Sequence, residues 1–179
     1  MMVDYYENLE KEINEGLSND LIPMGFDRLS FHVGLRKSTY YLVGGFTGSG
    51  KTALIDDAFV LNPYDFGNSI KNTTGVSLKI FYFSMERRKN YKLGKWLSRK
   101  IFLDTGKIIS VNKILGWVDA QYKLTTEEKQ LLDSYKSYIN DLLNNVVTII
   151  ENPQNPMGVK KIIDKYAEEN GTWEQIDKH

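Results

Sequence analysis

Short apolar runs alternate with helical patterns along most of the chain. Three runs of aromatic and β-branched residues have the length and the boundaries of buried strands: Thr39–Val43, Lys79–Ser84 and Val146–Ile150. Helical periodicity lies between and after these runs, at about residues 51–60, 87–103, 125–142 and 157–170. Residues 61–78 are rich in Asn, Gly, Ser and Thr and predict a loop. Strands that alternate with helices are typical of an α/β domain with a mostly parallel sheet.

Local signals mark where several of these helices begin and end. Capping-box or N-cap signals open two of them, at Thr125 with Glu128 and at Asn155 before Pro156. Stop signals close the helix at 51–60, at Asn62-Pro63, and the helix at 157–170, at Gly171.

The first twenty residues predict a helix that precedes the core. Asp4 and Glu7 have the spacing of a capping box, and a helical apolar stripe follows at Tyr6, Leu9, Ile13 and Leu17. A contact with a neighbouring subunit and a contact within the same chain would explain this apolar stripe equally well. We therefore expect a helix or linker over residues 1–20 and an α/β domain over residues 21–179.

Composition excludes several classes of protein. The 179 residues include 23 Lys and Arg, 23 Asp and Glu, two His and no Cys. Zero net charge argues against binding nucleic acid through bulk charge, and the lack of Cys excludes disulfides and zinc–thiolate sites. No apolar run approaches the roughly 18 residues of a membrane span, and residues 1–7 do not resemble a signal or transit peptide. We expect a soluble, cytoplasmic protein with no membrane partner.

The strongest motif is a phosphate-binding loop. The pattern G-x-x-x-x-G-K-[ST] is matched by Gly45, Phe46, Thr47, Gly48, Ser49, Gly50, Lys51 and Thr52. Glycines let the backbone turn its N–H groups toward phosphate oxygens, and the following helix adds its positive end. Lys51 would reach the β- and γ-phosphates and the Thr52 hydroxyl would bind Mg²⁺. A chance match in a chain of this length has a probability of roughly one in a hundred or less.

A carboxylate follows the second predicted strand. Ser84-Met85-Glu86 ends the run, so Glu86 would lie at the carboxyl edge of a parallel sheet, where open α/β folds bind ligands. Glu86 would then activate the water that attacks the γ-phosphate. The alternative is a solvated Glu at a helix start, where its charge favours the helix dipole.

Several segments resemble the ATPase domain of DnaB-type replicative helicases, which are RecA-like P-loop ATPases. Besides the phosphate loop, they are Ile22–Phe26, Gly34–Leu35, Tyr41–Gly44 and Phe81–Glu86. In that family a Ser-Leu-Glu-Met-like element carries the catalytic base at the position of Glu86. Met85 replaces the family's Leu, and Arg87 departs from its Met. The resemblance covers about residues 20–171.

The resemblance implies a function that the residue patterns alone do not. It implies that Lys51 stabilises phosphate charge, that Thr52 holds Mg²⁺ and that Glu86 is the base in ATP hydrolysis. It also implies translocation on single-stranded DNA by a ring-shaped homo-oligomer, a hexamer in this family. Asp56-Asp57-Ala58 and Asn62–Asp65 look most like helicases of tailed bacteriophages, which would place the protein in the host cytoplasm.

Other parts of the helicase pattern have no counterpart in the sequence. A P-loop ATPase needs an acidic Mg²⁺ ligand after an apolar strand, and Glu151 is the one candidate by local sequence. By resemblance, however, strand 146–150 precedes the strand that bears this Asp. No arginine finger, DNA-binding loop or primase-contacting domain can be placed. We therefore expect a part of a longer helicase that turns over ATP poorly alone.

One surface pattern is weaker evidence for a binding function. Basic residues share one face of the helix at 87–103, namely Arg88, Lys92, Lys95 and Arg99, with Trp96 predicted at the border of the core. A solvated face is the favoured interpretation, and a contact with nucleic acid or a neighbouring subunit is the alternative. The sequence shows no interleaving of aromatic and basic residues of the kind that stacks single strands.

Three other functions fit the phosphate loop. A RecA-like ATPase of the recombination or clock type would not separate DNA strands. A small P-loop kinase for nucleosides or nucleotides would consume ATP only with an acceptor, although no lid with clustered Arg is evident. A non-catalytic module would bind nucleotide without turnover.

Overall fold

The fold is an assembly of helices with two small sheets. The computed structural model describes residues 22–26, 28, 33–36, 39–74, 78–84, 88–152 and 154–171. The chain divides into two compact units, residues 1–78 and residues 79–179. The predicted helix within residues 1–20 lies outside the described residues.

The first unit begins with a short antiparallel pair. Strand β1 (Ile22–Pro23) pairs with β2 (Gly34–Leu35), so two of the segments that carry the family resemblance are neighbours. The Tyr41 hydroxyl accepts a hydrogen bond from the Arg36 N–H (3.0 Å) and donates one to the Gly34 carbonyl (2.6 Å). These bonds hold the chain that leads to the phosphate loop against β2.

The predicted strand at Thr39–Val43 is wrong. Residues 39–46 have no regular secondary structure, and Tyr40 and Leu42 are 86% and 83% exposed. A strand must pair its N–H and C=O groups with a neighbour, and none of the described strands pairs with this segment. The aromatic and β-branched composition therefore did not suffice to make a strand.

The helix after the phosphate loop is longer than predicted. Helix α1 (Lys51–Asp56) continues through a π turn (Asp57–Leu61) into α2 (Asn62–Thr74), so neither the stop at Asn62-Pro63 nor the loop at 61–78 is correct. Pro63 lacks an N–H, and the π turn before it, in which the Asn62 N–H bonds to the Asp57 carbonyl, lets the helix continue.

Packing explains why this polar sequence is helical. Leu61, Pro63 and Tyr64 are buried, and burial of such a face supplies most of the stability of helices in proteins. The Asn62 side-chain amide donates to the Met24 carbonyl (2.7 Å), which ties the start of α2 to the chain after β1. A Cβ on Gly25, whose φ is +78°, would lie 2.2 Å from Asn62, so glycine is needed there.

The second unit is built on a parallel pair of strands. Strand β3 (Ile80–Phe83) pairs with β4 (Val147–Ile150) in the register Ile80–Val147 to Phe83–Ile150, which confirms two predicted strands. Both are half-buried rather than fully buried along most of their length. The described residues therefore form an α/β structure with one small parallel sheet.

Helices connect and follow these strands. They are α3 (Lys89–Thr105), α4 (Val111–Ile114), α5 (Thr126–Ser134), α6 (Lys136–Asp141), which runs into a π turn (Leu142–Val146), and α7 (Pro156–Asn170). A short 3₁₀ turn covers Ala120–Tyr122. The single helix predicted over 125–142 is divided at Tyr135. The core of this unit consists of Trp96, Ile101, Ile109, Leu142 and Val147.

The two predicted caps that fall within the described residues are confirmed, and the capping box predicted at Asp4 and Glu7 lies outside them. The Thr125 hydroxyl accepts from the Glu128 N–H (3.2 Å), and the Glu128 carboxylate accepts from the Thr125 N–H (2.9 Å). The Asn155 side chain accepts from the Gly158 N–H (2.8 Å), and Pro156 opens α7. Caps of this kind stabilise by about 1 kcal/mol each.

Glu128 also binds a lysine, which makes the stability of the capping box depend on pH. Both carboxylate oxygens accept from the Lys113 ammonium, at 2.7 and 2.9 Å. The hydrogen bond from Lys113 is the main cause that lowers the pKa of Glu128 below its ordinary value of 4.5, followed by the bond from the Thr125 N–H. The carboxylate therefore stabilises the fold above that ordinary value, and this contribution is lost as the pH falls through the lowered folded pKa.

Replacing Glu128 with Gln should remove this pH dependence. The Glu128→Gln side chain keeps an acceptor for the Thr125 N–H and loses the charge that binds Lys113. We expect the variant to unfold at a lower temperature than wild type near pH 6. The difference should shrink as the pH falls from about 5 to about 3. Thermal unfolding across this range is the measurement, with Glu127→Gln in the same turn as control. A difference that does not change with pH would contradict the assignment.

Candidate phosphate-binding loop and candidate carboxylates

The phosphate-loop residues form an exposed turn at the start of α1. Gly48 and Gly50 have φ values of +81° and +87°, a region that side chains other than glycine rarely adopt. The Ser49 N–H bonds to the Phe46 carbonyl (3.2 Å), and the first helical bond joins the Leu54 N–H to the Gly50 carbonyl (3.0 Å). The glycines of the motif are thus required by the backbone that the structure shows.

Lys51 closes this loop. Its ammonium donates to the carbonyl oxygens of Gly45 (2.6 Å) and Phe46 (2.7 Å), which are the first two residues of the motif. The ammonium therefore contacts the turn, although these hydrogen bonds remain exposed to solvent. Thr52, the Mg²⁺ ligand of the motif, is exposed in the first turn of α1.

The turn fits a phosphate group. In the described part of the chain, the N–H groups of Gly48 and Gly50 have no hydrogen-bond acceptor. A Cβ on Gly45 would lie 2.7 Å from the Ser49 hydroxyl, so a larger residue there would require the Ser49 side chain to move. The helix continues unbroken from Lys51 to Thr74, which directs a helix dipole at the turn. Convergent N–H donors, a lysine and a helix N-terminus are the groups that bind phosphate.

One part of the expected context is missing. The motif usually lies between a strand and a helix. The helix follows it here, but residues 39–46, which precede it, have no regular secondary structure. The loop is consequently held by local contacts: the Tyr41 hydroxyl on Gly34 and the edge-to-face contact of Tyr41 with Phe59 at 5.6 Å.

The proposed base, Glu86, lies outside the described residues. Ser84 and Arg88, which flank residues 85–87, belong to the described part of the chain. The Ser84 N–H donates to the Ile150 carbonyl (2.9 Å), and α3 begins at Lys89. The role of Glu86 stays a prediction.

Glu151, the sequence candidate for an acidic Mg²⁺ ligand, accepts a hydrogen bond from the backbone of α3. It follows β4 directly, and its carboxylate accepts a hydrogen bond from the backbone N–H of Lys89 (2.7 Å). This N–H is one of the donors at the start of α3 that no helical carbonyl can satisfy, and no side chain of the N-cap residue Arg88 bonds there. Glu151 therefore caps α3 from the neighbouring strand, a role that its position in the sequence did not reveal.

Removing this cap should destabilise the second unit. We expect Glu151→Ala to lower the free energy of unfolding by about 1 kcal/mol, because the Lys89 N–H loses its acceptor and the helix dipole loses a negative charge. Glu151→Gln keeps an oxygen acceptor and should lose less. Urea unfolding of both variants is the measurement. Equal stability of Glu151→Ala and wild type would show that the cap contributes nothing.

The basic face of α3 is only partly solvated. Lys92 is 3% exposed, so the expected solvated face is wrong at this position. Its ammonium donates to the Tyr82 hydroxyl and lies 4.5 Å from the centre of the Tyr82 ring. Trp96, one turn further along, is 1% exposed and confirms the prediction of a core residue. The pairing of Lys92 with an aromatic ring of β3 could not be read from helix periodicity.

Comparisons with protein-family models, with curated proteins and with solved structures find no match. Among the described residues there is no group of three His, Asp or Glu side chains placed to hold a metal ion. None of the described helices is long and apolar enough to cross a membrane.

Proposed function

We propose that the chain binds ATP·Mg²⁺ through residues 45–52 as part of a RecA-like domain of a replicative DNA helicase. The observation that carries the nucleotide site is the turn itself. Two glycines with positive φ, unbonded N–H groups at Gly48 and Gly50, and the Lys51 ammonium meet at the start of one helix.

Each residue of this turn has a defined task in the proposal. The N–H groups of Gly48 and Gly50 bind phosphate oxygens. Lys51 exchanges its bonds to the Gly45 and Phe46 carbonyls for bonds to the phosphates, and the Thr52 hydroxyl holds the metal. Mg²⁺, when bound with ATP, neutralises charge on the β- and γ-phosphates.

The helicase part of the proposal rests on the resemblance. The segments that resemble DnaB-type helicases include β1, β2 and the run that ends at Glu86, and the parallel pairing of β3 with β4 is compatible with a RecA-like sheet. In this proposal Glu86 activates the attacking water, single-stranded DNA is the track, and a ring-shaped homo-oligomer in the cytoplasm is the working form. A rival of a different class is a small P-loop kinase, which needs an acceptor and not DNA.

The test compares two stimulants of phosphate transfer. ATP binding to the 179-residue chain is measured by calorimetry, and phosphate release is then followed with single-stranded DNA and, separately, with nucleosides and nucleoside monophosphates. Because this chain alone is expected to turn over ATP poorly, ATP binding without transfer to a nucleoside or nucleotide supports the proposal, and any slow phosphate release should increase with single-stranded DNA. Transfer to a nucleoside or nucleotide identifies a kinase, and absence of ATP binding contradicts the site.

A further inference from the structure

An exposed tryptophan and a tyrosine stack against each other in the second unit. The rings of Trp117 and Tyr91 are 6.1 Å apart between centres and only 20° from parallel. Trp117 is nevertheless 61% exposed. We call this pair the aromatic shelf. Tyr91 lies in the first turn of α3 and Trp117 lies 26 residues later. No local sequence pattern therefore predicts that the two rings are in contact.

The backbone holds Trp117 in a fixed position. Gly116, with φ of +71°, ends helix α4 in the left-handed conformation. The Gly116 N–H bonds to the Lys113 carbonyl (3.1 Å) and the Trp117 N–H bonds to the Asn112 carbonyl (2.8 Å), the two bonds of a Schellman cap. Tyr91 then supports one face of the indole. An exposed aromatic ring that is already held in place loses little conformational entropy when a planar group stacks on it.

The charge around the shelf selects the partner. Residues 88–123, which contain both rings, include nine Lys and Arg and two Asp, a net charge of seven positive along the sequence in a chain whose total is zero. Of these nine cations, Lys92 is buried and Lys113 is paired with Glu128, which lies outside the segment. Lys95 lies four residues after Tyr91, hence on the same face of α3, and Arg88 is the exposed residue that precedes this helix as its N-cap. Asp119, two residues after Trp117, is the nearest acid along the chain. This charge favours a polyanion over an apolar protein surface.

We propose that the aromatic shelf binds single-stranded nucleic acid, with an unpaired base stacked on Trp117 and the phosphates near Arg88 and Lys95. Aromatic side chains beside cations are the usual means of holding a single strand without regard to sequence. A duplex keeps its bases stacked inside and offers no free base face to the shelf. This inference deepens the proposed function by naming a surface for the strand, and it requires no nucleotide at the phosphate loop.

The experiment uses the 179-residue chain without ATP, so its failure leaves the phosphate site untouched. Fluorescence anisotropy of a labelled oligodeoxythymidylate of about 12 nucleotides gives the affinity at low salt, and a duplex of equal length is the comparison. We expect Trp117→Leu to weaken binding about fivefold or more, because one base loses its stacking partner, and Trp117→Phe to retain most of it. Leu103→Ala, which alters another exposed apolar residue of α3, should have no effect.

Two further measurements keep the test decisive. Arg88→Ala should reduce the slope of log affinity against log salt by about 0.7, the value for one phosphate contact on a single strand. The unlabelled strand should quench tryptophan fluorescence in wild type more than in Trp117→Phe, a result that does not depend on the folding of Trp117→Leu. Absence of strand binding, equal affinity for the duplex, or equal affinity of wild type and Trp117→Leu would overturn the proposal.

Discussion

Replacing Lys51 with Ala should reduce the affinity for ATP·Mg²⁺ at least tenfold. The ammonium already lies within the turn, 2.6 and 2.7 Å from the Gly45 and Phe46 carbonyl oxygens, and it is the one full positive charge of the motif. Charge-assisted hydrogen bonds contribute roughly 1.5–3 kcal/mol each, and at least one to phosphate is lost. Calorimetric titration of wild type and variant measures the effect.

Two controls separate binding from folding. Lys51→Ala also removes two hydrogen bonds within the turn, so its unfolding midpoint must be measured beside its affinity. Lys136→Ala removes an exposed lysine of α6 and should leave the affinity unchanged. If Lys51→Ala remains folded and binds ATP as tightly as wild type, the loop does not bind the phosphates.

Under the proposed function, replacing Glu86 with Gln should preserve ATP binding and remove most hydrolysis. The amide keeps the shape of the side chain and cannot accept the proton of the attacking water. General bases contribute about 10²–10⁴ in rate, so single-turnover hydrolysis should slow by about that factor. Calorimetry on the same variant should give the affinity of wild type.

Glu151→Gln is the matched comparison for Glu86→Gln. It makes the same chemical change at the other carboxylate that the sequence offered, the one that accepts from the Lys89 N–H. We expect hydrolysis close to wild type for Glu151→Gln. A rate for Glu86→Gln within about threefold of wild type would make Glu86 structural, and a large loss for Glu151→Gln alone would make Glu151 the acid of the metal site.

The features that the sequence predicted well are local. The capping box at Thr125 and Glu128 and the N-cap at Asn155 each depend on four neighbouring residues, so their signals are complete within a short window. Strands β3 and β4 are apolar runs bounded by polar residues and were predicted within one residue at each end. The phosphate-loop motif is likewise contiguous, and Gly48 and Gly50 within it have positive φ, whereas its role in binding nucleotide stays a prediction.

The features that the sequence missed depend on distant partners. Residues 39–43 have the composition of a strand, but among the described residues they have no strand beside them. Asn62-Pro63 usually ends a helix, and here a π turn and the contact of Asn62 with Met24 allow α2 to continue. Lys92 lies on the predicted basic face, and only the position of Tyr82 explains its burial. Contacts 10 to 38 residues apart cannot be read from periodicity.

The most direct test of the central claim is to observe the loop amides while nucleotide binds. The backbone N–H signals of the ¹⁵N-labelled chain are followed by NMR during titration with a non-hydrolysable ATP analogue and Mg²⁺. We predict that the largest shifts fall within residues 45–52 and include Gly48 and Gly50, whose N–H groups are available for phosphate oxygens. Saturation with no shift at Gly48 and Gly50, or shifts confined to other parts of the chain, would contradict the proposed site.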